Sequence, residues 1–428
     1  MADEQTPVTG PDAIGDEYEE TVVEYVDNRR GRTVLAVVLV ILFFLLIGVG
    51  WFVLQLATPT GAPDSDELPE GVTWIRSIYA WGETVDEQLV APVDAAVAPD
   101  GTIWVTTNKT KVVAFRPDGR PLRIIEGDLG TGPGQVVAFE GLDVDEEGNV
   151  YVADFGKNAV LVFSEEGELL QEWGVQQPNE IAVRGDRVAV AAAYGVGLFD
   201  TEGNLIAQWG KRGSEDADFD LPHGIEIGED GTVYVSDTQN RRVKAYDQNG
   251  RLLWIKQAPF PEDLESTTAT ETVDDVRQNL QIPSSMVFDG AGRLLLVDPF
   301  EFQIVTLDTE DEGTISGRWG EFGPEDGKFA YPTGLGYDPT RDTFAVADTA
   351  NNRVQIIRLP GSGGNLLTRG IAAATDRPYW ICLLPLILLL LALIVAAMRR
   401  RRQKREEAAR DELPAAMGDV PVTGGENP

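Results

Sequence analysis

One cysteine, Cys382, and one histidine, His223, serve all 428 residues. A lone cysteine excludes any intramolecular disulfide, so a domain outside the cytoplasm has to stand on its core, which a chain of this size allows. A lone histidine excludes zinc sites built from several imidazoles, and Cys–His chemistry, within one chain. Positive charge is also scarce. Lys and Arg total 35 against 70 Asp and Glu, a net charge of −35. Most of that excess lies between the two apolar segments described below. A phosphate-binding surface needs local positive charge, so nucleic acid is not an expected partner of that region.

Long apolar runs are present twice. Residues 1–32 form an acidic, polar tail that ends in Arg29, Arg30 and Arg32, and Thr33 to Ala57 is almost unbroken apolar sequence. At about 1.5 Å per residue such a run crosses a bilayer with some tilt, and it exceeds the usual h-region of a cleaved signal peptide. A second span, 378–398, contains Pro385 and is followed at once by Arg399, Arg400, Arg401, Arg402, Lys404 and Arg405. Basic flanks stay cytoplasmic, and both clusters point away from the central region. Two membrane helices, cytoplasmic tails at 1–32 and 399–428, linkers at 58–72 and 361–377, and an extracytoplasmic domain at 73–360 are therefore expected.

Within 73–360 one pattern repeats. Leu221-Pro222-His223-Gly224-Ile225, Glu229-Asp230-Gly231, Val233–Val235, Asp237 and Val243–Tyr246 recur in the same order as Pro332, Gly334-Leu335, Phe344–Val346, Asp348 and Val354–Ile357. Further copies begin near Phe139 and Pro283, and two blurred ones at Pro92 and Pro178, with Thr107 and Ala192 where Asp is expected. Fourth runs close on Trp-Gly at Leu169–Gly174, Leu205–Gly210 and Ile315–Gly320. Short apolar runs parted by Gly, Asp and Asn are strands and turns, and four per repeat describe a propeller blade. The last copy ends at Leu359 without a fourth run, while Trp74–Gly82 has that ending without a preceding blade. The expected fold is all-β: a six-bladed β-propeller closed by an N-terminal strand, flanked by two transmembrane helices. A long insertion at 259–281 is expected to leave one face.

The pattern Pro-x-Gly-Ile, Asp-Gly-x-x-Tyr-Val-x-Asp-Thr-x-Asn-x-Arg-Val resembles the NHL repeat, sharply in the blades at 222–254 and 332–360 and weakly at 92–122 and 178–210. The resemblance implies a six-bladed propeller but no single activity, because NHL propellers serve as RNA-binding and protein-binding regulators, sensor domains and amidating lyases. Leu221–Gly224 is similar to the lyase motif that contributes a zinc-binding histidine. Its equivalents here are Val93, Glu140, Asn179, Ser284 and Thr333, so the resemblance does not carry a zinc site.

Asp154, Asp237, Asp298 and Asp348 are expected as turn builders, accepting backbone N–H groups or pairing with Arg242 and Arg353. Ligand-binding candidates are the polar residues entering each innermost strand: Asp94, Glu140, Asn179, Glu180, His223, Ser284, Ser285 and Thr333. These converge at the channel mouth, where a set of oxygens suits a hard cation such as calcium, with Glu140 and Glu180 as its carboxylates. A polar funnel without cofactor is the plainer expectation. Two functions follow: a binding scaffold or sensor module that meets a protein partner in a bacterial cell envelope, or an extracytoplasmic calcium-dependent hydrolase or lactonase working at the mouth.

Overall fold

A computed structural model describes residues 69–107, 110–257, 280–363 and 394–406. The expected membrane segment 33–57, most of 378–398, the insertion between 258 and 279, the tail 1–32 and residues 407–428 lie outside these residues. Residues 394–406 are helical and carry Arg399 to Arg402. Among the described residues no helix is long and apolar enough to cross a membrane.

The propeller begins with β1 (Thr73–Ile78). Blade 1 is β2 (Asp94–Val97), β3 (Ile103–Thr107), β4 (Lys111–Phe115) and β5 (Pro121–Glu126). Blade 2 is β6 (Phe139–Val144), β7 (Val150–Asp154), β8 (Ala159–Phe163) and β9 (Leu169–Gly174). Blade 3 is β10 (Pro178–Arg184), β11 (Arg187–Ala192), β12 (Gly195–Asp200) and β13 (Leu205–Trp209). Blade 4 is β14 (Gly224–Ile227), β15 (Val233–Asp237), β16 (Arg242–Tyr246) and β17 (Leu252–Gln257). Blade 5 is β18 (Met286–Phe288), β19 (Leu294–Asp298), β20 (Gln303–Asp308) and β21 (Thr314–Trp319). Blade 6 is β22 (Pro332–Asp338), β23 (Thr343–Asp348) and β24 (Arg353–Arg358), completed on its outer side by β1.

Residue type explains the layering. The second strand of a blade is buried along its length and mostly apolar, as in Val150–Ala153, because both of its faces meet a neighbouring blade. The outermost strands alternate or lie open, as β9 does, because they meet solvent. In five of the six blades the hairpin after the inner strand turns on a glycine with positive φ, +89° at Gly148 and +83° at Gly231, where a side chain would be strained, and in blade 6 Asp342 takes that conformation at +53°. The hydrophobic core is accordingly distributed. Each junction holds its own cluster, for example Trp104, Val112, Leu142 and Val152 between blades 1 and 2, and Leu198, Ile225, Val235 and Tyr246 between blades 3 and 4.

Closure follows the sequence argument. β1 pairs antiparallel with β24, from Thr73↔Arg358 to Ile78↔Val354, so the first strand of the domain supplies the edge that the last blade lacks. Ile78, 4% exposed, packs with Val113 of blade 1 and Val354 of blade 6.

Candidate functional site

Six inner strands start around one axis, and their first residues surround a mouth of about 220 Å³ that includes Glu140, Asn179, Glu180, His223, Ser284 and Thr333. Deeper on the axis lies a cavity of about 70 Å³ walled by Asp94, Asp143, Glu180, Glu226 and Ser285. The structure therefore divides the candidates. Six line the mouth, Asp94 and Ser285 lie below it, and Glu180 faces both spaces.

Four of these eight groups, Asp94, Asn179, Ser284 and Thr333, are engaged with the next blade, and Asp143, Arg184 and Ser236 beside them add further links. Asp94 Oδ2 accepts the Leu142 N–H at 3.0 Å, and Asp143 Oδ2 accepts the Val183 N–H at 2.7 Å. Asn179 Nδ2 donates to Pro222 O at 2.8 Å, and Arg184 Nε donates to Ile227 O at 2.5 Å. Ser236 Oγ donates to Ser284 O at 2.8 Å, and Ser284 Oγ to Thr333 O at 3.3 Å. Thr333 Oγ1 donates to Val93 O at 2.6 Å and returns the circle to blade 1. All six junctions carry such a link, and Ser285 Oγ crosses the axis to Asp94 Oδ1 at 3.4 Å. The polar entry residues are thus a circumferential clasp. A buried polar group without a partner is costly, and here each partner is the neighbouring inner strand.

The charges at the axis are unusual. Burial raises the Asp94 carboxyl above its ordinary range, opposed by the Leu142 N–H and by a hydrogen bond with Glu180. Glu180 is pushed well above its ordinary range, by burial first and then by the charge of Asp94. Burial likewise raises Asp143 to about 7 and Glu226 to about 8, the latter also repelled by Asp143. Both keep some accessible surface because they wall the cavity, yet protein surrounds them. Arg184 is the cation that offsets this set. His223 is driven below its usual range by burial, and only its backbone N–H has a described hydrogen bond, to Ser236 O and Thr238 Oγ1. Among the described residues no three His, Cys, Asp or Glu side chains are grouped so as to hold a metal ion. Glu140 and Glu180 share the mouth, but Glu180 turns to Asp94.

Asp143, Glu226 and Arg184 were not singled out from the sequence. The signal was present in Leu142-Asp143-Val144 and Ile225-Glu226-Ile227, a charged residue between two apolar ones on an innermost strand. Period two sends its side chain to the opposite face from its neighbours.

The turn aspartates lie elsewhere, at the top of the second strands, and each is fully buried. Asp154 accepts N–H groups from Val137 and Ala138 at 2.8 and 2.9 Å, and Asp298 accepts those of Gln281 and Ile282 at 2.7 and 3.0 Å. Asp237 accepts the Asp220 N–H and Asp348 the Ala330 N–H, and these two also meet Arg242 and Arg353 at 2.7 and 2.8 Å. These carboxylates reach beyond their own turns and pin the chain as it enters the blade. The two arginines continue outward. Arg242 donates to Ser214 O, Glu215 O and Asp218 O, and Arg353 to Glu325 O and Lys328 O.

The chain has sequence similarity to known proteins. Residues 329–357 match the NHL repeat. The chain is 26% identical over 255 residues to NHL repeat-containing protein 3 of Mus musculus, covering 54% of this chain and 67% of that protein. The Homo sapiens protein of the same name is 25% identical over 286 residues, covering 60% and 76%. Among solved structures a streptogramin B lyase aligns with a TM-score of 0.43 at 15% identity, over 66% of this chain and 97% of that one.

Proposed function

From the premise that this chain is an NHL-repeat six-bladed β-propeller, we propose that it is a recognition platform. Two membrane spans hold the domain outside the cytoplasm, where it binds a protein partner within a cell-envelope assembly. The observation that carries this reading is the clasp. Asp94, Asn179, Ser284 and Thr333 are occupied in joining blade to blade, the spaces left on the axis are about 220 Å³ at the mouth and about 70 Å³ below it, and the wider outward surfaces are open to recognition. Rigid scaffolds that present variable edges are a common basis for binding. The placement in the membrane rests on the two apolar runs and their basic flanks, including Arg399–Arg402.

The test uses the single native thiol. In a Cys382→Ser background, Glu229→Cys puts a cysteine on an exposed hairpin of blade 4. A membrane-impermeant maleimide should label it in intact cells, and an impermeant crosslinker should shift the 46.6 kDa chain to one discrete heavier species. Labelling that appears only after permeabilisation, or a chain that does not shift, overturns the proposal.

A further inference from the structure

Between blades, the residue three positions before the inner-strand entry is an apolar plug. Leu89, Val136, Phe219, Leu280 and Phe329 hold this position before blades 1, 2, 4, 5 and 6, and each is at most 2% exposed. In four of these connectors a closed loop covers the plug. The plug N–H reaches back to Tyr79 O, Asp128 O, Lys211 O or Glu321 O at 2.8–3.0 Å. Blade 3 differs. Its connector is only Val175-Gln176-Gln177, the plug Val175 is half-buried, and its N–H bonds to Asn158 O of the preceding blade instead.

The blade beneath has changed with it. β15 and β16 pair Asp237↔Arg242 and Val235↔Lys244, and β11 and β12 pair Ala192↔Gly195 and Val190↔Gly197. The residues that hold the connector in blade 4 are therefore Ala192, Gly195 and Gly197 in blade 3, and Tyr246 becomes Phe199. In blade 4 the Phe219 ring lies 5.8 Å from Tyr246 and 4.0 Å from Lys244 Nζ, beside Trp209 and Gly210. In blade 3 the matching surfaces, Trp173, Gly174, Gly197 and Phe199, border a cavity of about 740 Å³. That is within the roughly 300–1,000 Å³ of ordinary ligand sites.

The charge of the notch names its occupant. Its wall includes Lys211 and Arg212 and no carboxylate, in a chain with 70 acidic residues to 35 basic ones. Lys211 is 77% exposed and its charge is met in part by Asp218 at 3.6 Å, so the cation that the rim offers is chiefly Arg212, which stands 5.0 Å over the Tyr194 ring. The loops that cover neighbouring blades are acidic, Ser214-Glu215-Asp216 before Phe219 and Pro324-Glu325-Asp326 before Phe329. We propose that the notch of blade 3 docks an extended acidic segment of a partner protein whose aromatic side chain packs on Trp173 and on the edge of the Phe199 ring, which itself covers Gly197. The partner supplies in trans the covered plug that Phe219 supplies within the chain for blade 4. This gives a chemistry to the partner of the platform reading above, but titration of purified protein is independent of cellular location and fails separately from it.

The probe is a synthetic octapeptide copying residues 213–220, Gly-Ser-Glu-Asp-Ala-Asp-Phe-Asp, titrated onto the full-length chain while Trp fluorescence is followed. Saturable binding is expected, weakened at least tenfold when the peptide phenylalanine is replaced by alanine. A similar loss is expected when the protein carries Arg212→Glu, an exposed change that leaves the melting temperature in place. Gln177→Glu, at the rim of the same notch, should weaken binding in the same direction. No saturation at millimolar peptide, or binding that ignores both the phenyl ring and the rim charges, overturns the proposal. Self-association of the free protein that Arg212→Glu abolishes would make a second copy the occupant, and would overturn it as well.

Discussion

Arg242 and Arg353 are cations with almost no contact with water, each bound to an aspartate that has none. Such pairs gain little net energy from ionic attraction, because desolvation of both charges offsets it, yet removal of one partner strands the other. Arg242 also donates to three carbonyls of the 214–218 loop, so its loss leaves that loop and Asp237 to Lys244, which meets Asp237 at 3.1 Å and donates to Asp218 O, and to Asn240. Arg242→Met is expected to cost about 3–5 kcal/mol in denaturant unfolding. Arg251→Met, which removes a 76%-exposed side chain paired with Asp247 on a hairpin, should stay within about 1 kcal/mol. A change in Arg242→Met no larger than that in Arg251→Met would show that the buried network carries no stability. The Asp-Thr-x-Asn-x-Arg turns were readable as turns because two sharp copies occur. That their carboxylates anchor residues 16–18 positions earlier was not, since no local pattern encodes such a partner. Asp143 and Glu226 escaped notice for a related reason: flanked by apolar residues, each looks like the solvent face of an ordinary strand.

At the scale of elements, the closing strand is legible in the sequence, because Trp74–Gly82 ends like a fourth strand and β24 has no successor. The consequence is testable through Ile78, which joins β1 to the junction between blades 6 and 1. Ile78→Ala is expected to cost about 2–4 kcal/mol, as large-to-small core changes do. It should also speed amide hydrogen exchange in β24 over Arg353–Arg358, ahead of the other blades. Uniform acceleration, or none, would argue that β1 is not what holds the outer edge of blade 6. Blade 3 shows what sequence reading passes over. Its blurred motif was recognised as degenerate, but the shortened connector and the Ala192, Gly195 and Gly197 substitutions become one feature only when the strand register sets them side by side.

Across the whole molecule the six blades share one axis, and the carboxyls gathered there connect stability to pH. In the unfolded chain Asp143 and Glu226 lose their protons near 3.8 and 4.5, whereas in the folded protein they keep them up to about 7 and about 8. Between those limits the native state binds more protons than the unfolded one, so stability falls as pH rises. The contribution is complete below about pH 4 and lost by about pH 8. Hairpin acids such as Asp230 and Asp247 are shifted the other way, by the N–H groups of Thr232 and Arg251, and they oppose it only in the acid range. Thermal unfolding should therefore show a melting temperature that declines from pH 5 to pH 8. Glu226→Gln, which cannot ionise, should make the decline shallower. A flat profile, or an unchanged slope in the variant, would mean that the axial carboxyls are ionised in the folded protein.

The pairing of β1 with β24 also decides how the domain answers to a pull. Thr73, where the chain enters, lies opposite Arg358, where it leaves, at the same end of an antiparallel pair. Tension applied between the two ends loads the hydrogen bonds one after another, as in a zipper, and not all together as in shear. Pulling the ends apart would peel the first strand away at low force while the other five blades remain intact, and would bare the edge of β24 as a strand-sized acceptor.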